Sequence, residues 1–310
     1  MNFYTGLLSA TLLAMSACAA PEKPPQAEES GKPESKPLVV ATTTIIADIA
    51  RNLVDDRMEV VSIMKPGEDP HIYDPRPDDA RTIGRGKVVL INGLHLEGTL
   101  HDIIHNNVAE GAVLCALGED PRIKPIESQV FKGAPDPHCW FNILHVKVFV
   151  DRAMGALIEA DPAGEAFYRE NARRYYEKLD SLDAYTRQVL GSIPAERRIL
   201  VTAHDAFHYF GIEYGIEVIA VIGISTDQEP RPQDVENLVA LIQAHSVPAV
   251  FIETSVSPSL NNLVRKVSEK TGARIGGTLF SDSLDEPDRP TGTYLGMFRH
   301  NVETIANALR

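Results

Sequence analysis

Four residues in this chain have the types and positions of metal ligands. They are His71 in Gly67-Glu68-Asp69-Pro70-His71-Ile72-Tyr73, His138 in Asp136-Pro137-His138-Cys139-Trp140, His204 in Thr202-Ala203-His204-Asp205, and Asp282 in Phe280-Ser281-Asp282-Ser283. Each follows a short apolar run, at residues 59–64, 113–117, 199–201 and 275–280. If those runs are parallel strands, all four residues lie beyond carboxyl ends, where open α/β sheets bind their ligands. Three neutral imidazoles and one carboxylate converging on a cleft form a set that binds a divalent transition metal: imidazole suits zinc and its neighbours, and the carboxylate offsets charge. Taken singly, a loop histidine is a surface residue and a loop aspartate a cap. It is the joint pattern that points to a site.

The elements that must position these residues alternate. Apolar runs at 38–41, 59–64, 88–91 and 113–117 are separated by helical patterns at 45–54 and 96–104; runs at 199–201, 218–222, 249–252 and 275–280 are separated by helices from 205, around 235–244 and from 260, with a last helix at 294–309. Short strands alternating with helices predict parallel sheets with crossover helices, here in two similar halves. Between the halves, residues 161–193 read as one helix. Asp161 is placed to cap it, Pro162 suits the first helical position, and Gly191 with Pro194 ends it. Tyr168, Ala172, Tyr175, Leu179, Leu182, Thr186, Val189 and Ile193 recur at steps of three and four and draw one apolar stripe. A coiled-coil segment would share that stripe, but apolar strands on both sides favour an internal strut. The fold predicted is α/β, with two parallel-sheet lobes joined by one long rigid helix: residues 38–160 form the first lobe, 161–193 the linking helix and 194–310 the second lobe.

A formal charge of −13 argues against nucleic acid or anionic lipid as a partner. Residues 1–17 carry an apolar core, too short to span as a mature helix, that ends in Ser16-Ala17-Cys18. Small residues directly before a cysteine resemble a bacterial lipobox, which implies a signal peptide cleaved before Cys18 and lipidation of that thiol. Residues 19–36 are rich in Pro, Glu, Lys and Ser with little to bury, so 18–37 read as the lipidated cysteine and a disordered tether. Of the remaining thiols, Cys115 and Cys139 are the pair that an oxidising compartment could join.

At its four ligand motifs the chain resembles the bacterial receptors that feed ABC importers of zinc and manganese. The resemblance runs from Leu38 to the C-terminus and also takes in Asn92-Gly93-Leu94-His95-Leu96-Glu97, Gly223-Ile224-Ser225-Thr226 and Thr293-Tyr294-Leu295-Gly296-Met297. Within the family it resembles the treponemal receptor in particular. The resemblance implies two α/β lobes joined by a rigid helix, a metal site in the cleft between them, and His71, His138, His204 and Asp282 as ligands. It implies an extracytoplasmic, monomeric lipoprotein, anchored to a bacterial membrane, that delivers Zn2+ or Mn2+ to a membrane permease and catalyses nothing. Two departures bear on the metal. His204 stands where many manganese receptors have Glu, and residues 118–135 lack the histidine-rich loop of zinc-dedicated members.

Other groups have smaller parts. Glu253, ending the 249–252 run, is placed either to orient a ligand imidazole or to bind loop amides. His95 is expected near the cleft without being a ligand. His208, His101 and His105 are expected to face solvent, although the spacing of 101 to 105 and of 204 to 208 is one that chelates zinc on a helix. The rival functions are a secreted zinc metallohydrolase and an adhesin with a structural metal. A catalytic zinc keeps a position open for water, whereas four protein ligands close the site.

Overall fold

The computed structural model describes residues 36–127, 133–228 and 230–310, together with Met1; the segments expected to be a signal peptide and, up to residue 35, a tether, with Cys18 between them, lie outside the described residues. The first half runs β1 (Leu38–Ala41), α1 (Thr44–Val54), β2 (Glu59–Ser62), α2 (Pro77–Arg85), β3 (Val88–Ile91), α3 (Leu100–Asn107) and β4 (Val113–Ala116). Its strands form one parallel sheet in the order β2-β1-β3-β4. The central strands β1 and β3 are buried along their whole length, which is why both read as unbroken apolar runs.

Two long helices follow, α4 (Ile143–Ala160) and α5 (Glu165–Leu190), and then the second half: β5 (Ile199–Thr202), α6 (His208–Tyr214), β6 (Glu217–Ala220), α7 (Pro232–Ala244), β7 (Ala249–Glu253), α8 (Pro258–Thr271), β8 (Arg274–Leu279) and α9 (Tyr294–Leu309). Here β5 pairs with β6 and β7 with β8, all parallel, and β5 lies beside β7 without closing a ladder. The spatial order β6-β5-β7-β8 repeats that of the first half. Helix starts follow local chemistry. Thr43, Asn142, Ser257 and Thr293 cap α1, α4, α8 and α9 through side-chain oxygens, and Pro opens α2, α7 and α8.

The linking helix differs from its sequence reading at both ends. Asp161 does not cap it. The Asp161 carboxylate instead accepts from Arg57 and from the Tyr168 hydroxyl, a 3-10 turn spans Pro162–Gly164, and Gly164 stands at the start of α5. With 26 residues, α5 is about 39 Å long. Its buried face is Tyr168, Ala172, Tyr175, Leu179, Leu182, Thr186 and Leu190. Leu190 replaces Val189 because a 3.6-residue turn drifts away from a strict heptad. Thr186, the polar member, donates its hydroxyl to the Leu182 carbonyl at 2.8 Å and so adds no unpaired group to the stripe. The stripe packs on α1, α4 and α9, which belong to both halves, so α5 is an internal strut. Sequence reading also passed over α2 and the 18-residue α4.

Candidate metal centre

Two of the four candidate ligands sit in copies of one local device. In Asp69-Pro70-His71 and in Asp136-Pro137-His138, the aspartate Oδ1 accepts from the histidine backbone N–H two residues on, at 3.0 Å in both turns. Proline fixes the residue between, so each turn sets its imidazole at a defined angle. His204 comes from the segment after β5, and Asp282 from the segment after β8. His138, His204 and Asp282 are buried and His71 is half-buried.

The four meet. One donor atom from each lies within 4.8 Å of all the others. His71 Nε2 is 3.2 Å from His138 Nε2, and Asp282 bridges His138 and His204, with Oδ1 3.4 Å from His138 Nε2 and Oδ2 3.4 Å from His204 Nε2. His204 Nε2 and Asp282 Oδ1 are buried and make no hydrogen bond within the protein. Inward-facing donors left unpaired at a buried point are a costly arrangement unless something binds them. A divalent cation fits that donor set.

Behind the donors, carboxylates fix the rings. His138 Nδ1 is 2.7 Å from Asp136 Oδ1, and His204 Nδ1 is 2.7 Å from Glu253 Oε2. Asp136 accepts a hydrogen bond from His138 Nδ1–H and the Glu253 carboxylate lies against His204 Nδ1; each contact turns Nε2 inward and raises the basicity of its ring. Glu253 makes contacts of both expected kinds, since its Oε1 also accepts from the Ala203 and His204 backbone N–H groups at 2.7 and 3.0 Å. Asp282 is held by the Ser255 and Ser281 hydroxyls at 3.1 and 3.0 Å on Oδ2. Its segment is tied to the first half, with Trp140 Nε1 donating to the Ser281 carbonyl at 3.0 Å, Gly67 N–H donating to Ser283 Oγ at 2.8 Å and Leu284 N–H donating to Thr44 Oγ1 at 2.8 Å. Thr226 adds a hydrogen bond to Asp69 Oδ2 at 2.6 Å.

This electrostatic frame splits the histidines. Burial works against charge on His138, but Asp136 and Asp282 outweigh it and raise its pKa to about 9. Burial opposes charge on His204 too, and Glu253 and Asp282 hold it well above the ordinary imidazole value. His71 has no carboxylate on its ring. Burial, then the neighbouring His138 and His204, push it down to about 3 against the pull of Asp282. Asp282 stays well below the usual carboxylate range, because the His204 and His138 rings outweigh its burial. Asp69 is pushed up to about 6 by burial and by Asp282.

The remaining expectations divide. His95 is not part of the cluster; it is exposed on a loop with φ +66°. His101 and His105 face solvent as expected. His208 does not: it is half-buried, with Nδ1 3.2 Å from Asp205 Oδ2, and so belongs to the packed surround. Cys115 and Cys139 are both free. Cys139 is buried beside the Asp136 carbonyl and Cys115 lies on β4 beside the Arg152 carbonyl, so packing on different elements holds the thiols apart from a bond. Burial pushes the Cys139 thiol up to about 12, which makes it inert rather than reactive. Sequence reading missed Asp136 as the partner of the His138 ring, although an Asp two residues before each of two histidines was the available signal. Nothing in the sequence singled out Ser255.

The family described as "Zinc-uptake complex component A periplasmic" matches residues 39–308. The manganese-binding lipoprotein MntA of Bacillus subtilis is 39% identical over 98% of this chain and 99% of its own length. The solved periplasmic zinc-binding protein TroA of Treponema pallidum is 36% identical, with a TM-score of 0.84 over 89% of this chain and 99% of that one. A Mn-bound periplasmic metal-binding protein from Candidatus Liberibacter asiaticus is 26% identical, with a TM-score of 0.80 over 89% of this chain and all of that one.

Proposed function

The chain belongs to the family of periplasmic zinc-uptake components, and from that premise we propose that it captures a divalent transition metal, zinc or manganese, with His71, His138, His204 and Asp282 and hands it to the permease of an ABC importer. The observation that carries the reading is the convergence of four donor atoms, two from each half, at a point where two of them have no other partner. The protein is a receptor and not an enzyme. Its relatives are named for the metals they bind, and four converging side chains fill the coordination of a tetrahedral ion where a catalytic zinc would keep a place open.

The division into lobes at residues 38–160 and 194–310, with 161–193 between, is part of the same proposal, as is anchoring through a lipidated Cys18 to a bacterial membrane, in the periplasm or at the cell surface. Two observations support the anchor: the Ser16-Ala17-Cys18 motif and relatives that are named lipoproteins. The chain is proposed to work as a monomer.

Competitive titration of zinc and manganese against a chelator tests the site. Asp282→Ala and His204→Ala should each weaken both metals by more than the roughly 100-fold that marks the upper end for an outer partner. Unchanged binding in either variant would remove that residue from the coordination set. Fractionation tests the anchor, since Cys18→Ala should leave the protein released or unprocessed. A normally processed, membrane-bound variant would refute lipidation there.

A further inference from the structure

Two imidazoles outside the cleft stand in a pattern that it does not use. His101 and His105 are one turn apart on α3, both exposed, with ring centroids 4.3 Å apart. Leu100 and Ile104 make the buried face of that helix, so neither histidine is needed for packing. Side chains at i and i+4 project over the same side of a helix with Cβ atoms about 6 Å apart, which lets two rings reach one ion without unwinding the backbone. Charge favours a cation here twice over. Asp102 Oδ1 lies 3.4 Å from His101 Nδ1, and His105 is in the last turn, where unsatisfied carbonyls and the helix dipole attract positive charge. The helix also follows directly on the loop that braces one cleft ligand, because Thr99 donates its hydroxyl to the carbonyl of Tyr73, two residues beyond His71.

We propose that His101 and His105 form a second metal site on the surface of α3, which chelates a borderline divalent ion such as zinc, nickel or copper through both imidazoles, with Asp102 beside it to offset charge. Two protein donors leave the rest of the coordination shell to water, so the ion is held more weakly than in the cleft and exchanges with solvent. Manganese, a harder ion that prefers oxygen, is disfavoured there. This site goes beyond the cleft reading and does not depend on it.

Zinc stoichiometry on the full chain tests the inference. By equilibrium dialysis and metal analysis, the wild type should take one tight equivalent and then a second, weaker one. His101→Gln with His105→Gln should lose only the weaker equivalent. His105→Gln with Asn107→His should lose it as well, because that variant keeps two imidazoles on the helix but moves them to i and i+6, on different sides of the helix and out of reach of one ion. A wild type that takes no second equivalent, or a second equivalent that survives in either double variant, overturns the proposal. A wild type lacking the tight equivalent, yet with a weak one that the substitutions abolish, would instead defeat the cleft reading and leave this site standing.

Discussion

The tripeptide Asp-Pro-His occurs twice, builds the same backbone turn both times, and yields two histidines of opposite character. In the turn at 136, Asp136 Oδ1 binds both the backbone N–H and the ring of His138, which is fully buried and held near a pKa of 9. In the turn at 69, Asp69 spends its second oxygen on Thr226, from the other half of the molecule, and the His71 ring is left half-buried without a carboxylate, at a pKa of about 3. The same three residues thus supply a fixed, basic imidazole in one place and, in the other, a less basic imidazole whose turn is tied to the other half of the molecule. What decides between them is where the carboxylate's spare oxygen points, and that depends on tertiary neighbours rather than on the motif.

Neutralising each aspartate should separate the two roles. Asp136→Asn removes the anion that fixes and activates a ligand ring, and should weaken zinc binding about 10–100-fold. Asp69→Asn keeps the turn and loses part of one cross-cleft hydrogen bond, worth about 1 kcal/mol or roughly fivefold. Chelator competition on both variants measures the contrast. Equal losses would mean that the two turns act alike and that the ring contact at 136 carries no special weight.

Much of this frame was legible in the sequence, and the parts that were not share a cause. The alternation of strands and helices and the four residues that converge could be read because each apolar run is bounded by a chemically distinctive segment. The strut was legible from its stripe, but its first turn was not, since Asp161 has a partner 104 residues away in Arg57 that outcompetes the local cap. The helix α4 went unread because it is apolar on nearly every side, as befits a helix packed against α1, α5 and β4, and so shows little periodicity. Asp136, Ser255 and the half-buried His208 were missed for the same reason as the Arg57 pairing. Side chains that brace a ligand are chosen by three-dimensional proximity and leave no fixed spacing behind.

The contrast between the turns also predicts how binding depends on pH. Below about pH 9 metal-free His138 carries a proton on the nitrogen that must face the ion, whereas His71 carries none at neutral pH. Metal therefore displaces a proton from His138, and a second from His204, which is likewise raised. Affinity should rise with pH, by about tenfold per unit for each proton released, and the His138 share of that slope should end near pH 9, where His138 is already deprotonated. In Asp136→Asn the His138 pKa falls, so the slope should flatten by up to one proton. Calorimetry in buffers of different ionisation enthalpy counts the protons. A wild-type slope of zero between pH 6 and 8, or a slope untouched by Asp136→Asn, would break the assignment of the titration to His138.

The smallest expected effect concerns the choice of metal, and the structure changes how it must be tested. Three nitrogen donors and one oxygen donor should bind zinc more tightly than manganese, since affinity rises across the first row and imidazole suits the softer ion. Replacing one imidazole by a carboxylate, as in His204→Glu, should narrow that ratio by a few-fold. In this protein, however, the His204 ring rests against Glu253, 2.7 Å from Nδ1 to Oε2, with both side chains fully shielded from solvent. A lone His204→Glu would set two carboxylates against each other in a buried place, so one would take up a proton or turn away, and both metals would be lost for reasons unrelated to donor softness. His204→Glu combined with Glu253→Gln removes that clash, because the amide can donate to the new carboxylate and its carbonyl oxygen can still accept from the Ala203 and His204 backbone N–H groups. The double variant should bind both ions with a smaller zinc-over-manganese ratio than the wild type, and the single variant should bind both poorly. If competitive titration finds the double variant's ratio unchanged, residue 204 does not touch the metal, and the site reduces to His71, His138 and Asp282.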